Sequence, residues 1–233
     1  MQMFVGTSGY SYKEWKGTFY PDGTKPAEML SYYLTQLPAV EINNTFYRMP
    51  TEKVLSGWAE QTPDDFRFSI KASRRITHMK RLKGVEEDVS FLLSSLETLG
   101  ARLGALLFQL PPNFKKDIER IEAFFQLLPP GTPTVFEFRH DSWFDEETAQ
   151  VLQAHSCAWC VSDVDDEDSP ELRMTAPSGY VRLRRESYTS KALQTWHERI
   201  AAMPWEKAFV FFKHEDEARG PTYAAEFRSM GDS

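Results

Sequence analysis

The chain alternates short runs of apolar, strand-favouring residues with longer segments in which apolar residues recur at i, i+3 and i+4. The short runs predict eight strands: MFVGTS (3–8), AVEINNTF (39–46), FRFSIKAS (66–73), ALLFQL (105–110), TVFEFRH (134–140), AWCVSD (158–163), YVRLRR (180–185) and AFVFFKH (208–214). The longer segments predict amphipathic helices between them: AEMLSYYLTQL (27–37), EKVLSGWAEQT (52–62), VSFLLSSLETLG (89–100), IERIEAFFQLL (118–128), ETAQVLQAH (147–155) and ALQTWHERIAAM (192–203).

Regular alternation of strand and helix indicates βαβ units and a parallel sheet. Eight such units predict an α/β fold closed into a (β/α)8 barrel, with a doubly wound open sheet as the structural alternative. No linker interrupts the pattern, so residues 1–233 are predicted to form one domain. The segment DVDDEDSPELRMTAPSG (163–179) is acidic and contains two prolines, which predicts a loop in place of the sixth helix. A short last helix is predicted after Gly220 and Pro221.

Residues alternate faces along a strand, and in a barrel the apolar outward set packs against the helices. In the run 39–46, Val40 and Ile42 are assigned to the outward face, which directs Glu41 and Asn43 toward the barrel axis. The same argument predicts that these further polar residues point inward: Arg67, Ser69, Lys71, Gln109, Glu137, Arg139, Asp163, Arg182, Arg184 and Lys213.

Most of these inward residues fall at the C-terminal ends of their strands, the rim at which barrel enzymes build their active sites. Three carboxylates against five cations there predict a locally basic mouth, which favours a small phosphorylated or carboxylated ligand. The alternative is structural, with Glu41 and Lys71, and Glu137 and Arg139, forming buried ion pairs that fill the barrel.

Composition narrows the classes of partner. The net charge of -7 at pH 7 argues against a broad nucleic-acid surface, although a local basic pocket is compatible with it. No stretch approaches the roughly 18 apolar residues of a membrane span, and the start lacks a basic segment followed by an apolar run, so a cytoplasmic protein without a membrane partner is predicted. The sequence leaves the oligomeric state open.

The two cysteines, Cys157 and Cys160, form a C-x-x-C within a predicted strand. Side chains three residues apart on a strand point to opposite faces and lie ~10 Å apart, too far for a disulfide. We therefore predict two buried thiols.

Five motif regions run in order through nearly the whole chain: GTSGYSYKEWKGTFYP (6–21), VEINNTFYRMP (40–50), FRFSIKAS (66–73) with ITHMKRL (76–82), LGALLFQLPPNF (103–114) and FEFRHDSW (136–143). Together they resemble the YecE-like family, also called domain of unknown function seventy-two. The resemblance implies a TIM-barrel fold and a bacterial or archaeal type of protein, and it implies no particular reaction.

The resemblance also implies which positions belong to the family's polar motifs. They map onto Gly6, Thr7, Ser8, Gly9, Tyr10, Trp15, Glu41, Asn43, Thr45, Phe46, Tyr47, Lys71, His78, Gln109, Glu137, Arg139, His140, Trp143, Asp163 and Arg182. The eighth strand departs from the family pattern, because Lys213 and His214 stand where asparagines are usual.

The first functional hypothesis is an enzyme acting on a small anion. Its predicted catalytic residues are Glu41 or Glu137 as general acid or base, and Lys71 as a cation or, with a depressed pKa, a Schiff-base nucleophile. Its predicted substrate-binding residues are Tyr10, Trp15, Asn43, Tyr47, Gln109, Arg139, His140, Trp143, Asp163 and Arg182, of which the aromatic members wall the pocket.

Two other hypotheses stay open. One is a barrel that binds nucleic acid or hydrolyses phosphodiesters with a metal. The spacing of His78, His140 and His214 matches no metal-binding motif, so neither metal nor cofactor is predicted. The other is a non-catalytic ligand-binding protein that keeps the anion site.

Overall fold

The chain folds into a closed barrel of eight parallel strands. The computed structural model describes residues 1–48, 50–165 and 169–231. Each strand pairs with the next along the chain, and β1 pairs with β8 to close the sheet. The strands are β1 Gln2–Ser8, β2 Ala39–Ile42, β3 Arg67–Lys71, β4 Leu103–Gln109, β5 Thr134–Glu137, β6 Ala158–Asp163, β7 Ser178–Leu183 and β8 Lys207–Phe212.

Helices follow seven of the eight strands and form the outer layer. They are α1 Met29–Gln36, α2 Glu52–Gln61, α3 Glu86–Leu96, α4 Ile118–Phe125, α5 Glu146–Ala154, α6 Ser190–Ala201 and α7 Arg219–Ser229. Between β6 and β7 the described residues, 164–165 and 169–177, contain no helix, as the acidic and proline-containing sequence predicts; residues 166–168 lie outside the description.

The last helix differs from its prediction. It begins at Arg219 and so includes Gly220 and Pro221, which the sequence placed before it. Proline is tolerated in the first turn of a helix, because the N–H group that it lacks would have no intrahelical acceptor there.

Two strands, β2 and β5, end three or four residues earlier than the sequence predicts. The run 39–46 leaves the sheet after Ile42, because Thr45 donates its hydroxyl to the carbonyls of Ile42 at 3.0 Å and Lys71 at 2.6 Å and holds the chain in a 3-10 turn. The run 134–140 leaves the sheet after Glu137 and enters a turn at Asp141–Trp143. These turns place polar side chains at the mouth of the barrel.

The predicted face assignments hold on β2, β3, β4, β5 and β7 and fail on β6. The apolar interior of the barrel includes Ala158 and Cys160, whereas Trp159 and Val161 pack in the outer layer against the helices. Asp163 shares the face of Trp159 and Val161 and therefore points outward, so its predicted inward orientation is wrong.

The two cysteines are buried thiols as predicted, although Cys157 lies one residue before β6 and not on the strand. Both are buried and free, with Cys157 in the outer layer and Cys160 inside the barrel.

Among the described residues, no helix is long and apolar enough to cross a bilayer.

Candidate functional site

Glu41 lies inside the barrel at the C-terminal end of β2 and is fully buried. Its carboxylate accepts hydrogen bonds from Ser8 Oγ at 2.7 Å, Asn43 Nδ2 at 2.9 Å and Tyr180 OH at 2.7 Å. Arg182 Nη2 lies 2.9 Å from it. Burial alone would raise the pKa of Glu41, but the charge of Arg182 and the three neutral donors lower it below its ordinary value, so the carboxylate stays ionised.

Arg182 connects the two buried carboxylates of the barrel. Its Nη1 lies 2.6 Å from Glu137 Oε2, opposite the Nη2 contact with Glu41, and its side chain is 2% exposed. Burial opposes its charge, yet the two carboxylates raise the pKa of Arg182 well above its usual range. Its Nε is buried without a hydrogen-bond partner among the described residues. The geometry therefore makes Arg182 the ionic centre of the barrel interior.

A hydrogen-bonded chain runs from Glu137 to Lys71. Gln109 Nε2 donates to Glu137 Oε2 at 2.8 Å, and Lys71 Nζ donates to Gln109 Oε1 at 2.9 Å. Glu137 also contacts Arg139 Nε at 3.1 Å. Burial would raise the pKa of Glu137, but Arg182 and Arg139 lower it strongly, so this carboxylate also stays ionised.

Lys71 sits at the mouth beside an aromatic ring, with Nζ 4.2 Å from the ring centre of Phe46. Burial, followed by the charge of Arg182, lowers the pKa of Lys71 to about 8. Near neutral pH this lysine is therefore mostly protonated and has an accessible neutral form.

Positive charge exceeds negative charge among the side chains directed toward the barrel axis at the mouth, whereas the adjacent groove is lined by six carboxylates, those of Glu14, Asp165, Glu186, Glu215, Asp216 and Glu217. With Asp163 outward, two carboxylates on the inner faces of the described strands oppose five cations, which are Lys71, Arg139, Arg182, Arg184 and Lys213. The effect reaches His78, whose pKa falls to about 4 through burial and the charges of Lys71 and Arg139. The side chains around the barrel axis at the mouth therefore create a locally positive potential.

Arg184 is the least compensated of the three arginines among these cations. Among the described residues, the carboxylate oxygen that comes within 4.0 Å of it is Glu137 Oε1, at 3.9 Å, and Arg182 and Arg139 already bind that carboxylate. Its Nε is buried without a hydrogen-bond partner among the same residues, while Nη1 donates to Ser162 Oγ at 3.3 Å. Burial and then the charge of Arg182 lower the pKa of Arg184.

Arg184 and Arg139 line a cavity of about 480 Å³ that opens at the C-terminal ends of β5, β6 and β7. Arg184 also borders a second, more open groove of about 970 Å³ together with Lys213. A ligand at the mouth would therefore meet Arg184 from either side.

Four predicted site residues lie away from this cluster: Asp163, Trp15, Trp143 and Tyr10. Asp163 accepts hydrogen bonds from Tyr188 OH at 2.8 Å and from Trp196 Nε1 at 3.1 Å, and it pairs with Arg185 Nε at 2.8 Å. Since Trp196 belongs to α6, these hydrogen bonds connect β6 to the helix layer, and Asp163 does not point toward the barrel mouth. The sequence contained a signal for this outward orientation. Asp163 lies two residues after Val161 and four after Trp159, so it shares the face of these apolar residues.

The predicted aromatic walls Trp15 and Trp143 are packing residues. Trp15 is 1% exposed and donates Nε1 to the carbonyl of Glu215 at 2.7 Å. Trp143 is 0% exposed and donates Nε1 to the carbonyl of Phe114 at 2.7 Å. Both indoles satisfy a backbone acceptor inside the outer core, so their predicted place in a pocket wall is wrong.

Tyr10 is also displaced from its predicted position, because it packs against Tyr33 of α1 with ring centres 6.1 Å apart. His140 lies near the rim, where its Nδ1 accepts a hydrogen bond from the backbone of Ser142 at 3.1 Å and caps the turn. Tyr47 is 72% exposed at the rim, with its ring 5.7 Å from the guanidinium of Arg74.

The histidines do not gather around the carboxylates. His78 contacts Thr77 Oγ1 and the ring of Phe46, and His214 contacts the carbonyl of Arg185. Within the described part of the chain, no group of three or more His, Cys, Asp or Glu residues is arranged to hold a metal ion.

Two hydroxyl groups of the cluster were left out of the predicted site residues, although the resemblance placed Ser8 among the motif positions. Ser8 and Tyr180 both donate to Glu41, and Tyr180 also shares a 2.6 Å hydrogen bond with Ser69 Oγ. Parity was the available signal, because Tyr180 lies two residues before Arg182 on the same face of β7.

These features define an α/β barrel whose C-terminal mouth holds a buried carboxylate–arginine–carboxylate cluster surrounded by further cations. The chain belongs to the DUF72 family, whose model, described as a protein of unknown function, matches residues 4–232. A DUF72 family protein from Thermotoga maritima has the same fold, with a TM-score of 0.85, 28% identity and full coverage of both chains. One from Enterococcus faecalis superposes with a TM-score of 0.83 at 17% identity, covering 100% of this chain and 96% of that one.

Two curated relatives match part of the chain. UPF0759 protein YecE of Escherichia coli K12 is 33% identical over 125 residues, which are 53% of this chain and 46% of that protein. UPF0759 protein YunF of Bacillus subtilis is 27% identical over 173 residues, which are 69% of this chain and 60% of that protein. The chain thus spans about half the length of the curated relatives that it matches.

Proposed function

We propose that the protein is an enzyme that acts on a small phosphorylated or carboxylated molecule at the C-terminal mouth of the barrel. The observation that carries this proposal is the guanidinium of Arg184, which borders two cavities, keeps a buried Nε without a partner among the described residues and has Glu137 only at 3.9 Å. A partly desolvated cation with so little compensation gains most from an anionic ligand.

The proposed binding groups are Arg184 and Arg139, with Lys213 at the rim. Arg139 is about one third exposed at 32%, so its guanidinium can reach a ligand while Nε stays on Glu137. Arg182 has a different part in the proposal, since both of its terminal nitrogens contact buried carboxylates. In this proposal Arg182 fixes the positions of the two carboxylates inside the barrel and adds positive potential near the ligand.

Lys71 is the proposed proton carrier. A pKa of about 8 suits general acid and base chemistry near neutral pH, because both protonation states are accessible. The lowered pKa values of Glu41 and Glu137 make them poor proton donors, so in this proposal they position Arg182 and, through Gln109, Lys71.

A non-catalytic anion-binding protein is the second candidate. The observation that favours it is that both interior carboxylates are fully buried and occupied by ion pairs. In that case Lys71 would contribute charge alone.

Sulfate is expected to bind at the mouth and raise the melting temperature by several degrees at millimolar concentration, because a ligand that binds the native state stabilises it. Arg184→Met, which keeps the aliphatic stem and removes the charge, should abolish most of that shift. Arg67→Met is the matched control, since Arg67 begins the inward face of β3 at the opposite end of the barrel. Thermal unfolding with and without sulfate measures the effect; an equal shift in wild type and Arg184→Met would contradict the proposal.

Sulfate affinity is expected to fall as the pH rises through about 8, because the pKa of Lys71 is about 8 and its cation is lost above that value. Sulfate stays dianionic throughout this pH range, so a change in its affinity reports a change of protonation in the protein. Calorimetric titration at pH 6.5 and 9.5 should show roughly tenfold weakening, the size expected for one nearby charge at an effective dielectric constant near 20.

Lys71→Gln should flatten this pH profile, and Lys213→Gln should keep a transition near pH 8. A profile that survives in Lys71→Gln would assign the titration to another group. Binding by Lys71→Gln at the wild-type level across the whole range would show that the charge of Lys71 does not contribute to the anion site.

A further inference from the structure

The cavity beside Arg184 extends between two strands of the barrel. β5 and β6 pair at two register positions, Val135 with Ala158 and Phe136 with Trp159, and the pairing stops before the mouth. The cavity is lined both by inner-face residues, such as Cys160 and Ser162, and by outer-face residues, which include Phe138, Trp159 and Val161. It is therefore a cleft that leads from the barrel mouth through the gap between β5 and β6.

The missing sixth helix leaves room for this cleft. On the other strands a helix follows and covers the outer face, whereas after β6 the described residues form loop, and Pro170, Glu171 and Arg173 of that loop line the cavity. The outer face of β6 thus borders a cavity at the place where a helix would otherwise pack.

The far end of the cleft is aromatic. Trp159 lines the cavity and is 4% exposed, with the Phe138 ring centre 5.4 Å away. The Phe144 ring is tilted relative to the Trp159 ring, with ring centres 5.7 Å apart. Arg173 lies across the Trp159 ring with Cζ 5.0 Å from its centre. Phe144 is 51% exposed and lines the cavity, so part of its ring is accessible to a ligand there.

We propose that this cleft is a subsite for a flat apolar group of the ligand, which places the substrate in the class of anions that carry an aromatic or similarly planar moiety. The inference rests on the proposed function, because Arg139 and Arg184 at the near end of the same cavity hold the anionic group. At about 480 Å³ the cavity accommodates a small molecule that reaches both ends. The planar group packs against Phe144 and Trp159, and Arg173 covers one edge.

Phenyl phosphate and methyl phosphate test this subsite, because they carry the same charge and differ in the ring. Calorimetric titration of the wild-type protein should give a dissociation constant at least tenfold lower for phenyl phosphate. Phe144→Ala should reduce this preference to threefold or less by weakening phenyl phosphate alone. Phe91→Ala is the matched control, since Phe91 is 53% exposed on α3 and does not line the cleft.

The outcomes separate this inference from the proposed function. Equal affinities for the two phosphates, or a preference that Phe144→Ala leaves intact, would overturn the aromatic subsite and keep the anion site. If neither phosphate binds, the proposed function is wrong. A titration with uncharged indole then tests the aromatic subsite by itself. Indole binding that Phe144→Ala weakens keeps the subsite, and absence of indole binding overturns it.

Discussion

Replacing Arg182 with methionine is expected to lower the free energy of unfolding by about 3 to 5 kcal/mol, the usual cost of removing one partner from a buried ion pair. Glu41 and Glu137 are 0% and 1% exposed, and the substitution would leave both without their shared cation. Urea unfolding at pH 7 measures the loss, with Arg120→Met as control. Arg120 pairs with Asp117 at 3.0 Å near the surface, where such pairs contribute less than about 1 kcal/mol.

The pH dependence gives this prediction a second readout. In wild type the pKa values of Glu41 and Glu137 are lowered, so the stability that they contribute is present above the ordinary carboxylate range and is lost as the pH falls. Without Arg182, burial and mutual repulsion should raise these pKa values, and the variant should then lose stability as the pH rises. Adding Glu41→Gln and Glu137→Gln should remove that dependence. A loss below about 1 kcal/mol in Arg182→Met would show that the cluster does not stabilise the barrel.

Gly6→Ala is expected to destabilise the protein by about 3 kcal/mol or more, at the top of the range for an overpacked interior. Gly6 faces Ala39 in the β1–β2 register, and a Cβ atom there would lie 1.9 Å from the carbonyl oxygen of Ala39. Because this neighbour is backbone, relief requires the two strands to separate. Separation would also lengthen the 2.7 Å hydrogen bond from Ser8 to Glu41.

Gly57→Ala is the matched control for this substitution. Gly57 lies inside α2, and a Cβ atom there meets nothing within 4 Å. Alanine at a helix interior should therefore raise the stability by about 0.5 to 1 kcal/mol. Thermal unfolding of the two variants should shift in opposite directions; a neutral Gly6→Ala would contradict the close approach of β1 and β2.

The sequence predicted the part of the candidate site that depends on the alternation of side chains between the two faces of a strand, which is here called parity. Parity correctly assigned Glu41, Lys71, Glu137 and Arg182 to the inner face, because the alternation of side chains along a strand depends on local geometry. It failed for Asp163 because the apolar residues that precede it were not used to fix its face. The aromatic walls Trp15 and Trp143 were misassigned because motif position carries no information about burial.

The sequence by itself determined the class of fold. Eight strand-like runs and the helical segments between them indicated a closed parallel barrel, and the prolines after β6 indicated a loop, because these features depend on hydrophobic periodicity and on the geometry of proline. Only the tertiary structure decided the partners of the charges. The sequence suggested Glu41 with Lys71, yet Glu41 pairs with Arg182, which lies 141 positions away, and Lys71 donates to Gln109. Barrel closure is the physical reason, since it brings the inner faces of β2, β5 and β7 together across the axis and so selects pairs that separation along the chain does not reveal.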